Sequence, residues 1–537
     1  MRTARDLLAV GSCPKLRIGL TPDQGGKIMI PNSKLLLGPP GCGKTHRLIE
    51  EIKTALDGGT HPSRIGVISF TRKAIEEMIA RSCSEFNLEA KDFPYMKTSH
   101  AFGFHGLGLK NTDIMGAEDY NNIGREIGLS FEGKDYTSLD GGITLPTVGG
   151  SGARYLQLDS RARLRMIDIE QEYNEQGDWN LFFAKLKQLS MQLIEYKRSL
   201  DKYDFVDMIE QYIEHGEVPN LDYLFIDEAQ DFTPLQWEMA KKIAASSEKV
   251  WIAGDDDQAI HRWTGVDVSL FNNSSDNVEV LSQSYRIPKS VHRVADKLSK
   301  RISGRHEKIF TSRDEEGSVK YVNYLSEIPI QEGSFTLMAR TNGYVSEMAN
   351  FLRASGFKFS RNGRSSISED LVANLMTWDT LCQDKYVGLQ QVKVLYSGVK
   401  RQGKDAVVRR GATQLLDALP SNSELNMDTL IKDYGLQRDS SSSAYEVLNV
   451  AASEQEYIDA IFRRGEDLLS KPRIKVSTFH AMKGGEDDNC VVWTASTKAC
   501  EQSKFPDDEH RAFYVGVTRA RQNLYILQSD NKYRYSL

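Results

Sequence analysis

Gly38, Gly43, Lys44 and Thr45 stand at GxxxxGK[ST] spacing in LLLGPPGCGKT, residues 35–45, with Gly41 inside the same turn. Glycines so placed let successive backbone N–H groups curl around phosphates at the start of a helix. Lys44 has the reach for β and γ phosphates, and the Thr45 hydroxyl is placed for Mg²⁺. A second set lies in LDYLFIDEAQDF, residues 221–232. Asp227 and Glu228 end its apolar run, where ligands meet open α/β sheets. Asp227 suits Mg²⁺ held through water, and Glu228 suits orienting and deprotonating an attacking water. Together the two sets point to nucleoside triphosphate hydrolysis. The loop by itself leaves ATP and GTP open.

These residues need particular elements beneath them. Residues 34–37 read as a short buried strand, and Leu48, Ile49, Ile52 and Leu56 then recur at helical spacing. Residues 224–226 read as a second buried strand that delivers the acids. The fold class expected is α/β. At 537 residues the chain suggests two to four domains. Its 40% hydrophobic and 26% charged residues are ordinary for a globular protein. It has no apolar run near 18 residues and no convincing export signal, so no membrane partner is expected. Six cysteines without a CxxC pair fit a reducing cytoplasm better than a disulfide framework. A net charge of −6 means that any polyanion must be met by local basic patches. Residues 392–411 supply one: Lys393, Lys400, Arg401, Lys404, Arg409 and Arg410 face Asp405 alone. A solvated helix face is the other reading of that stretch.

Ten segments follow in an order that carries more information than any one of them. They are LTPDQ (20–24), IGVISFTRKAIEEMIAR (65–81), TSHAF (98–102), YDFVDM (203–208), DEAQD (227–231), VWIAGDDDQAIHRWTG (250–265), LSQSYRIP (281–288), FTLMARTN (335–342), VSTFHAMKGGE (476–486) and EHRAFYVGVTRAR (509–521). In this order they resemble the UvrD/Rep/PcrA helicases of superfamily 1A.

The resemblance implies two RecA-like P-loop lobes, each a parallel sheet flanked by helices, with two mainly helical inserted subdomains. The implied division is an N-terminal extension at 1–19 and lobe 1A at 20–104 and 201–282. Subdomain 1B falls at 105–200, lobe 2A at 283–364 and 471–537, and a reduced subdomain 2B at 365–470. ATP lies between the lobes in that family. By resemblance, Gln24 reads the adenine edge, Tyr285 stacks on it, and Glu486 meets the ribose. Gln258 senses the γ-phosphate, and Arg286 and Arg519 act as arginine fingers. Such fingers neutralise transition-state charge, so their effects on rate are large. His46, directly after Thr45, departs from the arginine that relatives carry there.

A single strand needs aromatic faces for its bases and positive or N–H groups for its phosphates. Phe70, Phe205, His261 and Trp263 fall at the family's stacking positions, with His261 where relatives often have tyrosine. Lys73, His100, Arg340 and His480 are the phosphate candidates. Trp263 follows the GDDDQ turn between Arg262 and Thr264. KRQGKDAV, residues 400–407, resembles the glycine hairpin of the family's 2B subdomain, and residues 440–443 read as a flexible serine run. The function implied is an ATP-dependent helicase that translocates 3′→5′ on single-stranded DNA, binds single-strand/duplex junctions and uses Mg²⁺. A protein-stripping translocase and a non-catalytic nucleotide-dependent binding module are the alternatives. No residue visibly reads a 2′-hydroxyl, so RNA stays open.

Overall fold

The computed structural model describes residues 28–132, 149–177, 180–400, 406–503 and 505–537. Gln24, Arg401, Lys404 and Asp405 lie outside the described residues, as does most of the hairpin-like segment. Contacts divide the chain into two compact units. One is Met1–Ser318 with Ala499–Thr518, and the other is Val319–Lys498 with Arg519–Leu537.

The first unit is built on six strands: β1 (Ser33–Leu37), β2 (Ile65–Ser69), β3 (Tyr95–Thr98), β4 (Tyr223–Asp227), β5 (Lys249–Gly254) and β6 (Val278–Val280). Their order is β3-β2-β4-β5-β1-β6, and every pairing is parallel. Buried parallel strands need continuous apolar runs, and Leu35, Leu36 and Leu37 of β1 and Leu224, Phe225 and Ile226 of β4 supply them at 0% exposure. The helix Lys44–Asp57 follows β1 and buries Leu48, Ile49, Ile52 and Ala55, while Leu56 packs half-buried against the same core. Between β3 and β4 comes a helical insertion with a core of its own, including Tyr120, Ile123, Leu156, Leu186, Leu189 and Leu193.

The second unit has β7 (Ser318–Val322), β8 (Phe335–Ala339), β9 (Phe359–Arg361), β10 (Arg364–Ser365), β11 (Val387–Gly388), β12 (Glu424–Leu425), β13 (Ile474–Thr478), β14 (Asp487–Trp493) and β15 (Ala520–Leu527). Seven of these form the sheet β10-β9-β13-β8-β14-β15-β7. Its centre, β9 through β15, is parallel. Strands β11 and β12 make a two-stranded ribbon within the helical insertion, whose core includes Trp378, Tyr396 and Leu430. The serine run at 440–443, expected to be flexible, forms a turn. The Trp378 indole N–H donates to the Ser442 carbonyl oxygen at 3.1 Å, and the Ser442 N–H donates to the Asp439 carbonyl at 3.1 Å. The sequence composition hid that long-range anchor. Among the described residues, no helix is long and apolar enough to cross a membrane.

Candidate nucleotide site and nucleic-acid track

Parallel strands all end at one edge of their sheet, and in the first unit that edge collects most of the expected site. The turn after β1 is shaped by glycine. Gly41 (φ 72°) and Gly43 (φ 80°) adopt the left-handed conformation that side chains resist, and Gly43 caps the helix that begins at Lys44. A β-carbon on Gly38 would collide with Cys42 Sγ and the Lys44 side chain. The backbone therefore keeps a bare, N–H-lined cradle, the shape a phosphate chain requires. Lys44 Nζ donates to the Gly38 carbonyl at 2.9 Å. Burial works against the Lys44 charge, but Cys42 and the Glu228, Asp255 and Asp227 carboxylates outweigh it and raise the ammonium's pKa. Thr45 is half-buried at the helix start.

Asp227 ends β4, in register with Ser69 of β2. Burial and the neighbouring Glu228 push its carboxyl up to about 7, with Lys44 opposing. Glu228 turns out of the strand at φ 53°, a left-handed value uncommon outside glycine. Its N–H donates to Asp227 Oδ1 at 3.0 Å. Buried Asp227 and half-buried Glu228, both acting on the Lys44 ammonium, with the hydroxyl of the adjacent Thr45 at the helix start, make a donor set that fits a hard divalent cation.

Gln230 was not singled out from the sequence, yet it joins two motifs. Its Nε2 donates to Glu228 Oε2 at 2.5 Å, and its Oε1 accepts from the Asp255 N–H at 3.0 Å. Asp255 in turn accepts from Gln258 Nε2 at 2.8 Å. A hydrogen-bonded chain thus runs from Glu228 through Gln230 and Asp255 to Gln258. Gly254 makes this possible, because a β-carbon there would strike Gln230 Oε1.

Residues 284–286 are latched onto the phosphate turn. Ser284 Oγ donates to the Pro40 carbonyl at 2.7 Å, and the Tyr285 N–H donates to the Gly41 carbonyl at 2.8 Å. Arg286 passes so close, its Cβ first, that Gly41 could carry no side chain. Arg286 is half-buried, and Tyr285 is 72% exposed, an open aromatic face beside the cradle. Ser284 and Gln230 lie within quoted segments, but nothing in their type marked them as joining these turns. Only long-range packing reveals them.

The track candidates continue along the same edge. Phe70 follows β2 and is buried, stacked on His261 with ring centroids 5.3 Å apart and planes 30° apart. His100 follows β3 and meets Phe205 edge-on at 5.8 Å. Burial and Arg72 push the His100 imidazole down to about 4 against Asp204, so the ring is neutral near pH 7. Lys73 is exposed at the start of the helix Arg72–Phe86. Trp263 is 42% exposed on a short 3₁₀ turn that begins one residue after His261.

In the second unit the candidates separate. Arg340 and His480 follow β8 and β13, whose ends pair in register at Ala339 and Thr478. Both are half-buried. Glu486 and Arg519 precede β14 and β15, at the opposite edge of the sheet. Glu486 is exposed and accepts from Arg521 Nη1 at 3.3 Å. Arg519 is 1% exposed, and its Nη1 donates to the Gly485 carbonyl at 3.1 Å.

Comparison with known proteins bears on this arrangement. The model of the UvrD/REP helicase N-terminal domain matches residues 20–279, and that of the UvrD-like helicase C-terminal domain matches residues 450–531. Together they cover well over half of the chain. The chain belongs to the UvrD/REP helicase family. Among curated relatives, ATP-dependent DNA helicase PcrA of Bacillus subtilis is 26% identical over 60% of this chain and 44% of its own length. A probable DNA helicase II homolog of Rickettsia conorii is 24% identical over 93% of this chain and 90% of its own length. ATP-dependent DNA helicase Rep of Buchnera aphidicola is 23% identical over 54% of this chain and 45% of its own length. Except for the Rickettsia protein, the chain spans less than half the length of these relatives. For a UvrD/REP chain, the mixed α/β architecture with two helix-flanked, largely parallel sheets is the one expected.

Proposed function

We propose that this chain is an ATP-driven motor that translocates 3′→5′ on single-stranded DNA and unwinds duplex at single-strand/duplex junctions. One observation carries the reading. At a single sheet edge of the first unit, the cradle of Gly38, Gly41, Gly43 and Lys44 stands with the acids Asp227 and Glu228, and Glu228 connects through Gln230 and Asp255 to Gln258. Three residues further on stands His261, stacked on Phe70, and then the exposed Trp263. The element that senses the γ-phosphate is therefore continuous with the element that meets bases.

In this mechanism backbone N–H groups of the cradle bind the phosphates, and Lys44 neutralises the β and γ oxygens. Tyr285 stacks on the base, Gln24 reads its edge, and Glu486 meets the ribose. Thr45 and Asp227 would hold Mg²⁺, which would supply charge neutralisation across the β and γ phosphates. Glu228 orients water for attack and takes its proton. Arg286 and Arg519 stabilise the charge that develops on the transferred phosphoryl group. Phe70, Phe205, His261 and Trp263 stack on bases, and Lys73, His100, Arg340 and His480 meet phosphates. The lobe and subdomain boundaries given above belong to the same proposal. The short insertion at 365–470 favours a second reading, in which the same motor strips proteins from DNA without processive unwinding.

Phosphate release measured with no nucleic acid, single-stranded DNA, duplex and RNA tests the motor. Displacement of 3′- and 5′-tailed duplexes, with and without a protein roadblock, tests what the motor does. Stimulation by single-stranded DNA with displacement from 3′ tails is expected. Nucleic-acid-independent hydrolysis, or none at all, would overturn the reading.

A further inference from the structure

The Asp255–Asp256–Asp257 run is buried completely, which is costly for three neighbouring carboxylates unless cations meet them. Their oxygens lie close enough together to hold a metal ion. A side chain from elsewhere in the first unit already meets all three. Lys308 Nζ lies 2.9 Å from Asp255 Oδ1 and 3.0 Å from Asp257 Oδ2, and it also donates to Asp256 Oδ1. The same short segment adds Arg305, whose Nε and Nη2 donate to the two Asp257 oxygens at 2.7 and 2.6 Å, and the His306 N–H, which donates to Asp256 Oδ2 at 2.7 Å. From the helix Pro506–Val517, Arg511 Nε donates to the Asp256 carbonyl at 3.0 Å.

The Asp255 carboxylate gives this cluster a consequence beyond stability. One oxygen accepts from Lys308 Nζ and the Asp257 N–H, and the other accepts from Gln258 Nε2. Lys308 and the proposed γ-phosphate sensor thus hold opposite oxygens of one carboxylate. Burial works to raise the Asp255 pKa, and Lys308 followed by Lys44 outweighs it and keeps the group ionised. An ionised acceptor holds an amide donor more tightly and in a narrower geometry than a neutral one.

We propose that Lys308 is a positioning residue for ATP hydrolysis: it fixes the Asp255 carboxylate, which orients the Gln258 amide toward the γ-phosphate. The inference rests on the ATPase reading above. Arg305 and Arg511 hold the same loop from two further directions, so the sensor is set by segments remote in sequence from residues 250–265.

The test compares the full chain with Lys308→Met, Gln258→Ala, the double variant, and Lys308→Met/Asp256→Asn, which restores the charge balance of the buried cluster. Hydrolysis is measured with single-stranded DNA, affinity is measured for ADP and for a non-hydrolysable ATP analogue, and folding is followed by thermal melting. Loss of a directly acting donor costs about 100-fold or more. A residue acting one step away is expected to lower kcat about tenfold. ADP affinity should hold within about twofold while the analogue-to-ADP preference falls, and in the Gln258→Ala background Lys308→Met should cost less than about twofold more. An unchanged kcat, or an equal loss in both backgrounds, would overturn the inference. If Lys308→Met fails to melt cooperatively, the charge-balanced variant is judged by the same criteria. Failure of that variant also to melt cooperatively would make Lys308 a stability residue and overturn the inference. A wild-type chain that does not hydrolyse ATP fails the motor reading instead, and the analogue-to-ADP preference still reports on Lys308.

Discussion

The two units use their parallel sheets differently. In the first, nucleotide and track candidates share the carboxyl edge, with Asp227 ending β4 and Lys44, His100, Gln258 and Trp263 following other strand ends. In the second, Arg340 and His480 follow β8 and β13, while Glu486 and Arg519 precede β14 and β15 at the other edge. A shared edge lets one turn serve both tasks, as proposed for the loop after β5, where Gln258 and Trp263 stand only five positions apart. On the proposed reading, the second sheet separates its nucleotide candidates from its track candidates by the length of a strand.

The largest expected effect breaks the first unit's edge at its chemical end. Glu228→Gln should abolish measurable phosphate release while the chain still binds nucleotide, because only the water's orientation and proton acceptor are lost. Retained turnover would remove Glu228 from its role. Next comes the amino edge of the second unit. Arg519→Ala should cut turnover about 10³-fold with nucleotide affinity largely kept, in line with other arginine fingers. Because Arg519 is buried and bonded to the Gly485 carbonyl, the melting temperature must be followed in parallel.

Much of the first unit was legible in the sequence, for stated physical reasons. The β1 strand, the phosphate turn and its helix announce themselves because apolar runs, glycines and lysine must fall at fixed spacings. The β4 strand ends in its acids as expected. Gln230, Ser284, Arg305 and Lys308 were not legible as site residues. Each acts through a bond to a residue distant in the chain; Gln230 and Ser284 fall inside quoted segments, but no residue type singled them out, and Arg305 and Lys308 fall in no segment at all. The Trp378 anchor on the serine turn escaped notice for the same reason.

Smaller effects sharpen the comparison along the track. Trp263→Ala should weaken single-strand affinity by roughly 1–3 kcal/mol, measured by fluorescence anisotropy, and blunt stimulation by DNA. No change would return Trp263 to ordinary packing. Arg340→Ala should reduce the salt dependence of single-strand binding by about 0.7 in the log–log slope, as one phosphate neutralised by a cation requires. His100→Asn should leave that slope unchanged, because the native imidazole is already neutral near pH 7. Equal slopes for all three proteins would erase the distinction between the units. His100 has a pH signature as well. Its folded pKa of about 4 lies below the unfolded value, so the unfolded chain takes up the proton first as pH falls. The native chain should lose stability between about pH 6.5 and 4, and His100→Asn should lose less over the same window.

The central claim is that the loop after β5 joins nucleotide state to grip on the strand. Single-strand affinity should be measured with ADP and with a non-hydrolysable ATP analogue, for the native chain and for Gln258→Ala. The account predicts affinities that differ between the two nucleotides in the native chain and converge in the variant. Equal affinities in the native chain, or a difference that survives Gln258→Ala intact, would contradict it.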